Sequence, residues 1–407
     1  MTARGIKSFR QDYAGLANVL VMSLGGLYSL ILFALPASKL LTNTLSSELL
    51  SHSHLLKDLE ANQAPIYSLW YLLQKLIVGR DFRDGVLTAS GLLLLGGFAL
   101  LKGVILTGLL RSSGYGFIKS LFGGILLGTA VALPLPFIER YSPLMASKTQ
   151  YLGTIPANTF MSATQLIANV GVLPAFYALQ LWGIRKSQSN FVIMLLTCLI
   201  ATVAKPGIAP ALLIGITGCI AISCWSSRKI TTKQLWQIVI ATVLLLTPAT
   251  VISHFYMSGN GWLSIKAVIA PLATWQAFSS QIVVDFLTSF AFPLTVLALL
   301  FISSKTSESR LKPVKTTLSG LAPSIFTTVA ALLMFICFAE KSNGSFLHSG
   351  NFIWAAISAN AGWHLTSLIA LKSLRPRSQA LATAILCLEA IGGLKYVTGY
   401  LNTGSFL

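Results

Sequence analysis

Carboxylates are scarce in this chain, and they cluster. Of 11 Asp and Glu residues in 407, Glu48, Asp58, Glu60, Asp81 and Asp84 share one short stretch. His52 and His54 stand in the same stretch, in a chain with 5 histidines. Side chains of these types, held beside a hydroxyl, take and return protons as general bases and acids. Glu48 is the first candidate for such a base. Asp58 and Glu60, which border the break before Pro65, are its rivals. His52 lies one helical turn from Glu48, where it can orient that carboxylate or bind a substrate, and His54 is grouped with it. The plain alternative is that Glu48 complements a helix N-terminus and that the other polar groups are solvated helix ends.

The elements that must carry these residues are membrane helices. The chain is 54% hydrophobic and 10% charged, with a mean hydropathy of +0.75; a soluble domain carries about 25% charged residues. Apolar runs recur near 14–36, 86–108, 119–138, 158–183, 190–204, 207–225, 235–254, 280–302, 318–339, 352–373 and 379–399. The expected fold is an all-α integral membrane protein, one polytopic domain over 1–407. It has about 11 transmembrane helices, judged by the roughly 20 apolar residues that a span needs. Lys205-Pro206-Gly207 interrupts the fifth and sixth runs, which read either as two helices or as a re-entrant hairpin.

The formal net charge of +18 reads as a topology signal. Lys and Arg occupy every second gap: Arg4, Lys7 and Arg10, then Arg111 and Lys119, then Arg185 and Lys186. Arg228, Lys229 and Lys233 follow, then Lys305, Arg310, Lys312 and Lys315, then Lys372, Arg375 and Arg377. This positive-inside pattern predicts a cytoplasmic N-terminus and a C-terminus on the outer, periplasmic side; the acids and histidines, gathered on the outer side, turn the expected active face outward, and the compact loops point to a bacterial inner membrane. No basic patch with interleaved aromatics points to nucleic acid. The first apolar run is longer than a signal h-region and reads as a retained anchor. The cysteines fall inside spans at no metal-ligand spacing. No Gly-rich phosphate loop or metal-type aspartate pair is present, so the sequence requires no cofactor and no metal; a divalent cation is left open.

The first outer loop, 37–85, has helical pattern of its own. From Thr44 to Glu60, Leu45, Leu49, Leu56 and Leu59 form one face, with Ser46 and Ser47 able to cap the start. This is the signature of an amphipathic helix lying in the interface. Asn62, Gln63 and Pro65 break it. A second apolar helix is expected from Ile66 to Val78, with Tyr67, Trp70 and Tyr71 at headgroup level and Gly79 at its end.

That layout resembles the GT-C class of membrane glycosyltransferases, in which a first span is followed by two juxtamembrane helices and the second opens with a "PPLYY"-like motif. Here the corresponding text is "QAPIYSLWYLL", Gln63 to Leu73. Such enzymes commonly carry an Asp-Glu pair soon after the first span; Glu48 alone stands nearest that place. The resemblance implies a sugar donor carried on polyprenyl phosphate, transfer on the periplasmic face to a glycan or lipid acceptor, and a first-loop carboxylate as general base. It also implies basic residues that hold the lipid phosphate. The chemistry agrees, since an acceptor hydroxyl must lose its proton as the sugar gains positive character, and a phosphate leaving group needs Lys, Arg or helix N-terminal amides.

Lys205 is the first candidate for that phosphate, because a charge in an apolar hairpin is costly unless it is used or paired. Arg140, in "PLPFIERYSP", and Lys148 are further candidates, although Arg140 can pair with Glu139 and interfacial lysines also snorkel. Asn158 can contact sugar hydroxyls or serve as an ordinary loop residue. His364 lies within an apolar run, where ionisable groups are expensive. Two other classes stay open: a transporter or flippase of a lipid-linked sugar, and an O-antigen polymerase.

Overall fold

The computed structural model of the chain describes residues 3–41, 56–57, 60, 69–134, 154–157, 163–258, 266–306, 308–342, 345–347 and 351–403. Helices dominate. After α1 (Ala3–Leu41) come α2 (Leu69–Val78), α3 (Asp84–Ser112) and α4 (Phe117–Thr129). Then follow α5 (Ala163–Arg185), α6 (Gln188–Ala204), α7 (Ala209–Ser227) and α8 (Thr232–Ser258). The short α9 (Ala273–Phe278) leads into α10 (Ile282–Ser289), α11 (Ala291–Thr306) and α12 (Glu308–Cys337). The last two helices are α13 (Asn351–Ala370) and α14 (Pro376–Thr403).

Among the described residues, seven stretches are each long and apolar enough to cross a bilayer: Gly15–Ala37, Asp84–Ser112, Gln165–Arg185, Pro206–Trp225, Thr232–Ser253, Val314–Cys337 and Pro376–Gly399. An eighth is the pair Ile282–Ser289 and Ala291–Ser304, bent by 68°. The chain is a helical, polytopic membrane protein. The other three expected spans are also helices. Two of them, α4 with 13 residues and α6 with 17, are short against the ~20 residues of a full crossing. The third, α13, is interior to the bundle, and its Ser358, Asn360, His364, Thr366 and Ser367 are all buried. The expected span 119–138 is helical only to Thr129, beyond which Ala130, Val131 and Ala132 continue as buried, non-helical chain. An all-α reading also omits a small antiparallel sheet, β1 (Lys266–Ile269), β2 (Phe338–Ser342) and β3 (Ser345–Leu347), in that order. In its register Ala267 faces Glu340, and Glu340 faces Leu347.

Small residues let α1 and α3 cross closely, as expected where lipid gives helices no hydrophobic reason to associate. A Cβ added at Gly103 would overlap the Gly25 carbonyl oxygen and stand 2.5 Å from Ser29 Oγ. Gly103→Ala should therefore destabilise the protein by about 1–3 kcal/mol or more, the cost of overpacking against unyielding backbone. Thermal unfolding in detergent or nanodiscs checks this, with Gly97→Ala as control, since a Cβ there meets nothing within 4 Å.

Side-chain contacts fix which helix ends lie together. Arg111 bonds Asn18, Lys372 bonds the Ser113 carbonyl, Tyr115 bonds the Leu368 carbonyl, Ser319 bonds the Gly183 carbonyl, and Lys186 reaches Cys219. One end of the bundle thus gathers Arg111, Lys119, Lys186, Lys315 and Lys372, with the short α7–α8 connection adding Arg228 and Lys229. Every acid whose side chain is described, namely Glu60, Asp81, Asp84, Asp285, Glu340 and Glu389, belongs to the other half. Between these ends α6 runs one way and α7 returns, so 190–225 is two oppositely directed helices joined at Lys205-Pro206-Gly207. The turns at the basic end close on Lys186 and Arg228 in left-handed conformation (φ 48° and 54°), which caps the carbonyl ends of α5 and α7.

Candidate functional site

The polar interior of the acidic half has two parts. The first surrounds the break between α10 and α11, and its cause is Pro293. A proline has no N–H to give and its ring excludes the carbonyl four residues back, here that of Ser289. The backbone groups so released must find other partners at membrane depth. The Thr288 carbonyl accepts from Leu133 N (2.9 Å) and the Ser289 carbonyl accepts from Asn360 Nδ2 (3.1 Å). Phe292 N donates to Glu389 Oε1 (3.0 Å), a carboxylate at the start of α11, where the helix dipole favours it. Ser289 Oγ accepts from Ile155 N (2.9 Å), and Asn360 Nδ2 also donates to the Ile155 carbonyl (2.6 Å). Two non-helical segments, 130–134 and 154–157, are thereby held inside the bundle, joined to each other by Ala157 N to the Val131 carbonyl (3.2 Å).

His364 completes this cluster. Its Nδ1 lies 2.9 Å from the Asn360 carbonyl and its Nε2 lies 3.0 Å from Glu389 Oε2. A carbonyl only accepts, so Nδ1 carries a hydrogen. The second contact then needs one hydrogen, on Nε2 or on the carboxyl. Both side chains are buried, His364 at 1% and Glu389 at 0% exposure, so each depends on the other.

The second part centres on Lys205. Its backbone is extended (φ −148°, ψ 88°), as a residue before proline prefers, and Pro206–Ile208 form a single 3-10 turn before α7. The side chain is buried, with Nζ 5.2 Å from the centre of the Trp354 ring on α13, within range for a cation–π contact. One turn along α13, Ser358 Oγ accepts from Gln165 Nε2 (2.8 Å), which also donates to Asn169 Oδ1 (3.3 Å). Ala204, the neighbour of Lys205, packs in one cluster with Leu166, Ile167 and the α2 residues Trp70 and Tyr71. A buried ammonium, an aromatic face and an amide–hydroxyl chain thus adjoin α2.

Around α2, Glu60 is ion-paired with Lys75, and Lys57 Nζ lies 3.2 Å from Asp84 Oδ1. Arg83 Nε donates to Asp81 Oδ1 at 2.8 Å. That hydrogen bond, more than the charge beside it, holds the Asp81 carboxyl below its ordinary range. The second expected loop helix is present as Leu69–Val78 and ends, as its sequence predicts, on Gly79 at φ 62°. Of the first, Leu56, Lys57 and Glu60 are helical.

Three candidate residues are described, and they are not brought together as one site. Glu60 belongs to the first-loop ion pairs, Lys205 to the polar cluster beside α2, and His364 to the α10–α11 break. Glu48, Asp58, His52, His54, Tyr67, Arg140, Lys148 and Asn158 lie outside the described residues. The sequence reading missed Asn360 and Glu389 as the partners of His364. Pro293 was the available signal, since a proline in the run 280–302 demands replacement hydrogen bonds there. Among the described residues, no three of His, Cys, Asp and Glu group as metal ligands. No known family model matches the chain, and no curated protein matches it.

Proposed function

We propose that the protein is a GT-C-like membrane glycosyltransferase. It moves a sugar from a polyprenyl-phosphate donor to a cell-surface glycan, an O-antigen or similar polysaccharide. The reaction takes place on the periplasmic face of a bacterial inner membrane, with the N-terminus cytoplasmic and the C-terminus periplasmic. The observation that carries this reading is Lys205: a buried cation at a helix break, in the acidic half, beside the helix that follows the first span. An ammonium in that position can neutralise a lipid phosphate, while the first loop supplies the base. α2 and the segment before it act as the two juxtamembrane helices. Arg140 and Lys148 stand in the sequence between 130–134 and 154–157, two segments that are both bonded into the same half.

The test is transfer by the purified protein from a radiolabelled polyprenyl-phosphate hexose to a lipopolysaccharide extract. Glu48→Gln or Asp58→Asn should lower the rate by about 10²–10⁴-fold, the size of a general-base contribution. Glu60→Gln should do less, because Lys75 already engages that carboxylate. Transfer that survives all three changes removes the first loop from the mechanism.

A second reading, a flippase for the same lipid-linked sugar, is favoured by the bent pair α10–α11, because discontinuous helices recur at transporter sites. Saturable donor binding with no transfer to any acceptor would select it.

A further inference from the structure

The basic end holds a separate cavity of about 430 Å³, lined by Asn18, Met22, Arg111, Ser112, Gly114 and Tyr115 among others. Small-ligand pockets run from roughly 300 to 1,000 Å³. Arg111 is its charged wall. Its Nε donates to Asn18 Oδ1 and one Nη to the Tyr115 carbonyl, both at 2.8 Å. The remaining guanidinium N–H groups have no partner among the described residues. Two more cations converge on the same loop. Lys372 bonds the Ser113 carbonyl, and its Nζ lies 4.0 Å from the centre of the Tyr115 ring. Burial, and then the nearby charge of Lys119, hold its ammonium below the ordinary lysine range. No carboxylate among the described residues pairs with Arg111, Lys119 or Lys372.

Membrane topology asks for cations on one side of the bilayer and nothing more. It does not ask that an arginine with open N–H groups line a cavity whose loop also takes up a lysine at the Ser113 carbonyl, a lysine that Lys119 repels. An anion in the cavity would engage the open N–H groups of Arg111 and lie near those lysine charges. The cavity lies between α1 and α3 at the start of the span Gly15–Ala37. There Leu16 and Val19 of α1 are exposed (67% and 63%), an apolar strip on which an acyl chain can lie. We propose that this cavity binds the phosphate of an anionic phospholipid headgroup. The site is at the opposite end from Lys205 and does not depend on the glycosyltransferase reading.

Native mass spectrometry of the full-length protein, released from detergent with phosphatidylglycerol or phosphatidylcholine, tests the assignment. The expected result is retention of phosphatidylglycerol over phosphatidylcholine. Arg111→Gln should weaken it about tenfold or more, the size of a lost charge-assisted hydrogen bond. Asn18→Asp guards against a folding artefact. It keeps the bond to Arg111 but places a negative charge in the cavity, and should weaken retention as much. Replacing Lys229 and Lys233 together by Gln should leave retention unchanged. Equal retention of both lipids, or losses that follow total charge rather than the cavity variants, overturns the proposal. So does inorganic phosphate at millimolar concentration displacing the lipid, which would make free phosphate the ligand.

Discussion

Glu389→Ala should cost about 3–5 kcal/mol, the usual consequence of removing one partner from a buried charged or hydrogen-bonded pair. It strands the His364 ring and the Phe292 N–H together, at a place where water cannot replace the missing acceptor. Glu389→Gln should behave differently. Its amide oxygen can accept from Phe292 N, and its NH₂ can donate to Nε2 of a neutral His364, so every hydrogen bond survives with no charge present. Most of the stability should remain. The measurement is thermal or denaturant unfolding in a defined detergent, with His364→Ala as the converse deletion. The Ala–Gln contrast decides what the pair is for. Equal damage by both substitutions would mean that the charge itself, rather than the bonding pattern, holds the break together.

Lys205→Met should leave the fold intact and impair transfer. Methionine keeps an unbranched, apolar stem in the same space, and removing a buried ammonium relieves its desolvation. The cation–π contact with Trp354, one of the interactions that disappear, is worth roughly 0.5–2 kcal/mol. Donor phosphate, by contrast, would lose a charge-assisted bond worth about 1.5–3 kcal/mol, a fall of about 10- to 100-fold in kcat/KM for donor. Steady-state transfer at varied donor, with unfolding measured on the same preparations, separates the two effects. Unchanged transfer by a folded Lys205→Met protein would make the lysine a structural feature of the α6–α7 turn.

The sequence made the membrane class readable because burial in lipid writes itself as long apolar runs, and each of the eleven contains a helix or a helix pair, although 119–138 is helical only to Thr129. Gly79 and Lys205-Pro206 were equally readable, since a glycine and a proline restrict the backbone whatever surrounds them. Partnership was harder to read. His364 could be recognised as costly, but its partner stands 25 residues away on a different helix, and no local pattern joins them. α4 looked like a full span because residues 130–134 are as apolar as a helix; only their bonds to Thr288 and Ala157 show a different backbone. The small sheet escaped for a similar reason: its strands are short and its pairing joins residues 266–269 to 338–341. The crossing of Gly25 over Gly103 is a fact of three dimensions that no local pattern announces.

The repair of the α10–α11 break has a consequence for how the protein is made. Two of its bonds come from chain already synthesised, at Leu133 and Ile155. The other two come from Asn360 and Glu389, 71 and 97 residues after the groups they serve. At roughly 5–20 residues per second, the bent pair waits on the order of several to twenty seconds for its last partners. During that interval Ser289 and Phe292 are short of hydrogen bonds, so this stretch should settle into the membrane last and be the part that an insertion chaperone guards. A chain truncated before Asn360 should accordingly be degraded rather than accumulate as a partly assembled bundle.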